Sequence, residues 1–214
     1  MEIVTRLILV RHGEVEERYH RIFGGSQIDM ELSPRGHEQV KALADYLSLT
    51  PPEIIYSSPM RRVQQTLAPL AAKAGLVPVI IPSIREVDFG TWTGLNWDQV
   101  QERYNKSAFD WLELLETGGI AEAESTLVFR ERVEQSLQQI LRESSGKTVA
   151  VICHGGVIRM MLSILLELPF RRMNLFEVEY ASLTRVNHRP LKTEIELHNY
   201  TPWRDGVSAN GRSI

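Results

Sequence analysis

Cysteine is nearly absent from this chain: Cys153 is the only one in 214 residues. An intramolecular disulfide is thereby excluded, and a lone cysteine fits a reducing compartment, so the expectation is a cytoplasmic protein. Long hydrophobic runs are missing as well. The apolar stretch Leu7 to Val10 is too short for a signal-peptide core or a spanning helix, so no membrane partner is expected. Charge of one sign is not in excess either. A formal net charge of −3, with 24 Lys and Arg against 27 Asp and Glu and no basic run, leaves no electrostatic footprint for nucleic acid. Any basic site must be local.

What is present is the composition of an ordinary globular domain, 43% hydrophobic and 24% charged. A single domain over residues 1–214 is the simplest count. A chain of this length buries about 70–75% of the surface that its unfolded form exposes, so it needs neither disulfides nor a structural metal to hold a core.

Ile3 to Val10 reads as a buried strand that stops at Arg11-His12-Gly13, with a loop to about Leu32. Ser33-Pro34 then gives an N-cap and a first helical position, and apolar spacing supports a helix up to Thr50-Pro51-Pro52. The pattern recurs. Glu53 to Tyr56 is a strand, Ser57-Ser58-Pro59 a turn, and a helix follows to about Ala74, stopped by Gly75; Leu76 to Ile81 is the next strand. After a loop from Ser83 to Leu95, Asn96 caps helical sequence that continues to Gly118-Gly119. Ser125 caps a helix through Leu141, Lys147 to Cys153 is a strongly apolar strand, and Gly155 to Glu167 is helical. Two strands, Leu175 to Val186 and Leu191 to Leu197, flank a hairpin turn at 187–190, and the polar stretch from Tyr200 to Ile214 reads as a loose tail. Alternating strands and helices predict an α/β fold, with helices on both faces of a mainly parallel sheet and ligands at the carboxyl ends of its strands.

Two of those ends carry imidazoles. The first strand delivers Arg11-His12-Gly13-Glu14, and the strand from Thr148 delivers Cys153-His154-Gly155-Gly156. Glycine after each histidine lets a ligand approach the backbone, and Gly155-Gly156 opening a helix offers free N–H groups to an anion. Arg61-Arg62, on the first turn of another helix, adds guanidinium to the same edge. Arg11, Arg62 and two histidines form a cluster whose natural ligand is phosphate, because planar guanidinium donors match its oxygens. Neighbouring positive charge keeps an imidazole neutral, as nucleophilic attack on phosphorus requires. Glu86, in the loop Arg85 to Trp92, supplies the missing acid, protonating a leaving oxygen and then activating water.

With these residues in view, the chain resembles the histidine phosphatase superfamily, in the branch shared with cofactor-dependent phosphoglycerate mutases. The likeness spans nearly the whole chain. It is carried by Leu9-Val10-Arg11-His12-Gly13-Glu14, by Leu32-Ser33-Pro34-Arg35-Gly36, and by Ser57 to Thr66, with Arg85 to Trp92 and His154-Gly155-Gly156 completing the set in order. The resemblance implies a three-layer α/β/α sandwich and chemistry with no metal or cofactor. It makes His12 the phosphorylated residue and Glu86 the proton donor, with Arg11, Arg62 and His154 around the phosphate. Gly25 falls at a family substrate-contact position, and Gly155, directly after His154, is placed with it at the substrate. One position departs: the family often carries Asn seven residues after the first motif Arg, and Arg18 stands there, placed as a substitute phosphate contact or facing solvent.

Mutase members usually carry a long insertion after the Trp-containing loop, whereas Gly94 to Ser125 is compact and acid-rich, so hydrolysis of a small phosphate monoester is favoured over a phosphoglycerate-type mutase. A third alternative is a non-catalytic protein that binds phosphorylated ligands on the same fold. The chain also matches Cys-x5-Arg at Cys153 and Arg159, the spacing of cysteine-dependent phosphatases. A Cys153 nucleophile would leave His12, Arg62 and Glu86 without a role, and a small buried residue ending a core strand is the plainer reading. Of the tryptophans near the expected mouth, aromatics at such loop and helix positions more often pack in the core; Trp92 is the one weighed as a pocket wall, with Trp97 and Trp111 taken as structural, and His37 and His198 are expected at the surface. A homodimer through a strand edge suits such a sheet, although nothing in the sequence specifies it.

Overall fold

In a computed structural model, which describes residues 3–205, six strands form one sheet flanked by helices. The strands are β1 (Thr5–Arg11), β2 (Ile54–Ser57), β3 (Val79–Ile80), β4 (Thr148–Cys153), β5 (Leu183–Arg189) and β6 (Lys192–Tyr200), in the order β3-β2-β4-β1-β5-β6. β1, β2, β3 and β4 pair in parallel, and β5 and β6 continue the sheet antiparallel. The sheet is thus mainly parallel, as the alternation of elements predicts.

Period-two alternation in the central strands builds the two cores. Leu7, Leu9, Val149 and Val151 face α5 (Thr126–Glu143) and α6 (Gly155–Leu165), meeting Phe129, Val133, Leu137 and Val157. Ile8, Val10, Ala150 and Ile152 face the other way. They pack on Leu43 and Leu47 of α1 (Pro34–Ser48) and on Val63 and Leu67 of α2 (Arg61–Ala74). Strands covered on both faces are apolar throughout, and a three-layer sandwich results.

Helix ends follow local chemistry. The Ser33 side chain accepts from the Gly36 N–H at 2.9 Å with Pro34 in the first turn, and Gly75 ends α2 in the left-handed region at φ 65°. Ser125 caps α5 by accepting from the Val128 N–H. Asn96 forms a capping box with Gln99 and starts α3 (Trp97–Tyr104).

Several boundaries differ from the pattern reading, each for a local reason. Helix does not continue from Asn96 to Gly118: Asn105 turns left-handed at φ 50°, and a 3-10 turn at Ala108–Asp110 precedes α4 (Trp111–Glu116). Between Pro78 and Pro82, which lack an N–H, β3 keeps only two residues. α6 ends at Leu165, and Glu167 adopts φ 54°. The strand expected from Leu175 starts only at Leu183, because the carbonyls of Phe176 and Val178 accept from Arg159 and Arg11 instead of a neighbouring strand. Pairing of Arg189 with Lys192 tightens the hairpin turn to Pro190 and Leu191. The tail expected to be loose from Tyr200 carries structure to Asp205: Thr201 is buried, and α7 (Pro202–Asp205) holds Trp203, whose Nε1–H donates to the Tyr180 carbonyl at 3.0 Å. Residues 206–214 of that expectation lie outside the described residues. No helix among the described residues is long and apolar enough to cross a membrane.

Because the Asn96 side chain starts the helix that presents Trp97, Asn96→Ala is expected to lower unfolding stability by about 1 kcal/mol in a denaturant titration. No loss of stability would show that packing, not the cap, holds α3.

Candidate active site

Parallel pairing in register creates the site. Arg11 lies opposite Cys153 across β1 and β4, so the next residues, His12 and His154, leave the sheet side by side with ring centroids 5.4 Å apart. β2 ends at the same edge, where Ser58 and the first turn of α2 bring Arg62. Three strand ends thus supply four of the five side chains expected to be catalytic.

His12 is 5% exposed. Its Nδ1 lies 2.8 Å from the Gly13 carbonyl, which can only accept, so Nδ1 carries the proton and Nε2 carries the lone pair. That lone pair accepts from Arg62 Nε at 3.3 Å. Burial first, then the charges of Arg62 and Arg11, hold His12 well below the ordinary imidazole value, so it is neutral. His154 is fully buried and neutral for the same first cause, followed by Arg62, His12 and Arg11. Its Nε2 is 2.8 Å from Ser58 Oγ.

The guanidinium groups are oriented by backbone carbonyls. Arg62 donates to the carbonyls of Gly25 at 3.0 Å and Ile28 at 3.1 Å, and burial lowers it to about 10, which leaves it charged. Gly25 fits this approach because its φ is 50° and a Cβ there would stand 2.5 Å from the Val87 carbonyl oxygen. Arg11 donates to the Val178 carbonyl at 2.6 Å and stacks 3.9 Å above the Tyr180 ring. Among the described residues, Arg11 Nε and His154 Nδ1 are buried and have no hydrogen-bond partner.

Glu86 reaches the same place from the loop after β3. Its carboxylate accepts from the N–H groups of Val87 at 3.0 Å and Gly156 at 3.1 Å. A Cβ on Gly156 would stand 2.4 Å from Glu86 Oε1, so a larger residue there would displace the carboxylate. Arg11, His12, Gly25, Arg62, Glu86 and Gly155 line one cavity of about 320 Å³, walled further out by Phe89, Trp97 and Trp111. Neutral nitrogen, fixed guanidinium and helix N–H groups around a cleft make a place for a phosphoryl group. No cluster of three or more His, Cys, Asp or Glu is arranged among the described residues to hold a metal ion.

A profile of the histidine phosphatase superfamily, branch 1, matches residues 7–201. The chain belongs to that superfamily. Phosphoserine phosphatase 1 of Hydrogenobacter thermophilus is 30% identical over 198 residues, 92% of this chain and 93% of that one. The metal-independent phosphoserine phosphatase of Arabidopsis thaliana is 34% identical over 163 residues, covering 73% and 66% of the two chains. The solved native structure of a mycobacterial glucosyl-3-phosphoglycerate phosphatase matches with a TM-score of 0.82 at 24% identity, over 92% of this chain and 99% of that one, a likeness of fold.

Not every residue expected at the site of this phosphatase is there. Arg18 stays outside the cavity, two-thirds exposed at its side chain, and bonds Glu16 at 2.6 Å. Trp92 is 1% exposed and packs on Phe23, whereas Trp97 and Trp111 form the wall. Aromatic composition could not separate the three, because only folding decides which ring faces inward. Cys153 is fully buried, and burial pushes its thiol up, away from a nucleophilic thiolate. His37 and His198 are exposed. Pattern reading did not place Ser58, Arg21 or Tyr180 at the site, and named Arg159 only as the arginine of Cys-x5-Arg. Helical spacing from Gly155 could have found Arg159, whose Nε donates to the Phe176 carbonyl at 2.8 Å at the cavity edge. Tyr180 was hidden in a segment read as strand.

Two buried neutral histidines have a consequence for stability. As pH falls below about 6.5, the unfolded chain takes up protons that the folded chain refuses, so stability is full above that pH and declines below it. In phosphate-free buffer, urea unfolding between about pH 7 and pH 5 should lose up to about 1.4 kcal/mol per pH unit for each histidine, and His154→Gln should flatten the slope. An unchanged slope in that variant would mean His154 already charges in the folded state.

Proposed function

We propose that this phosphatase hydrolyses a small phosphate monoester without a metal, by way of a phosphohistidine on His12. The observation that carries the reading is the tautomer: the Gly13 carbonyl holds the proton on Nδ1, so Nε2 presents its lone pair beside Arg62. Attack of Nε2 on phosphorus forms the N–P bond as the ester P–O bond breaks, and Glu86, entering as the carboxylic acid, gives its proton to the departing oxygen. Water then attacks phosphorus, Glu86 takes its proton, and the N–P bond breaks to release phosphate.

Charge in both steps falls on the nonbridging phosphoryl oxygens. Arg11 and Arg62 meet it with donors already fixed by carbonyls, which avoids reorganisation during reaction. In the tautomer in which Ser58 donates to Nε2, His154 carries its proton on Nδ1 as a further donor. Gly155 leaves the start of α6 without a side chain toward the phosphoryl group, whereas the Gly156 N–H is already held by Glu86. The cytoplasm is the compartment this reading takes, since the single cysteine is free and buried.

Chelator-resistant phosphate release, with an acid-labile label on the wild-type enzyme, is expected; His12→Ala should stay folded and lose at least about a thousandfold in turnover. Retained turnover in that variant, or a label on Cys153, would overturn the mechanism.

The leaving group faces Phe89, Trp97 and Trp111, with Arg21 stacked 5.5 Å from the Trp97 ring. Of the substrates that the relatives' names carry, the sugar-bearing one makes fuller use of such a wall than phosphoserine does. Trp97→Ala should lower kcat/KM about tenfold more for glucosyl-3-phosphoglycerate than for phosphoserine. Equal losses on the two esters would remove the wall from leaving-group selection.

A further inference from the structure

Glu86 stands on a loop, and a proton donor must be held to within a fraction of an ångström of its target. The strands do not fix it. The Val87 and Gly156 N–H groups hold the carboxylate, and a side chain of α5 holds the backbone beneath it: Arg132 donates from Nη1 to the carbonyls of Ser83 at 2.6 Å and Arg85 at 2.8 Å, and from Nη2 to the carbonyl of Glu86 itself at 3.2 Å. Its remaining donors go to Glu124, Nε to Oε1 at 2.6 Å and Nη2 to Oε2 at 2.7 Å. All five guanidinium N–H groups are thereby used. Glu124 grips the far side of the loop too, because its N–H donates to the Asp88 carbonyl at 3.0 Å.

We propose that Arg132 and Glu124 are a positioning pair that sets the Glu86 carboxyl for proton transfer, a role that rests on Glu86 being the acid. Their side chains are 12% and 8% exposed. A pair this buried costs desolvation that apolar residues would avoid, so folding stability alone is weak grounds for keeping it. What the pair does supply is direction. Three carbonyls between Ser83 and Glu86 point at one rigid fork, while Ile84 and Val87, both fully buried, anchor the loop from within the core. Lysine could not replace the fork, since an ammonium lacks the planar donors that span three carbonyls and a carboxylate together.

The test compares esters that need the acid to different degrees. Glycerol 3-phosphate must lose an alkoxide and depends on proton donation, whereas p-nitrophenyl phosphate loses a stable phenolate. In Glu86→Gln the ratio of kcat/KM for the alkyl ester to that for the aryl ester should fall at least about tenfold, and Arg132→Lys should reproduce that fall. Glu124→Gln, a milder change, should give a smaller fall in the same ratio and carries the test if Arg132→Lys does not fold. Equal loss on both esters in folded Arg132 and Glu124 variants would show a general structural role and overturn the proposal. A Glu86→Gln enzyme with an unchanged ratio would overturn the acid assignment, and the positioning role with it.

Discussion

A buried guanidinium next to a buried neutral imidazole is the constraint around which this molecule is arranged. Arg62 is 3% exposed and makes no ion pair among the described residues; carbonyl oxygens of Gly25 and Ile28 meet its charge instead. Burying a cation is tolerable only with such compensation, so the loop after β1 must fold back over the start of α2. Burial first, and then that same charge, keeps His12 deprotonated at Nε2, and the Gly13 carbonyl decides which nitrogen that is.

Around that centre, backbone supplies what side chains elsewhere would. Arg11 is directed by Val178, Arg159 by Phe176, and Glu86 by the N–H groups of Val87 and Gly156. Residues 176–180 therefore give up strand pairing, and Gly156 gives up a side chain. Both departures place a backbone donor or acceptor on a functional group. Such groups gain rigidity from covalent neighbours and ladders, which is what a preorganised anion site requires.

Much of this could be read in the sequence by itself. Apolar runs ending at Arg11-His12-Gly13 and Cys153-His154-Gly155 announced buried strands that deliver histidines to one edge, because parallel strands flanked by helices all present the same end. Glycine, serine and proline marked the caps, since their backbone and side-chain chemistry acts within three or four residues. Local chemistry of this kind is written locally, and the order of five motifs named the family that the profile match then established.

Tertiary structure alone decided the rest. Whether Trp92, Trp97 or Trp111 faces the cavity depends on how three segments pack, and Arg18 was left in solvent because the loop turns Arg21 and Tyr19 to the cavity instead. The tautomer of His12 depends on one carbonyl at 2.8 Å. No spacing rule links Arg132 to Glu86 across 46 residues of chain. Contacts between distant segments are selected by the whole packed core, so residue type marks the candidates while position in space assigns their work.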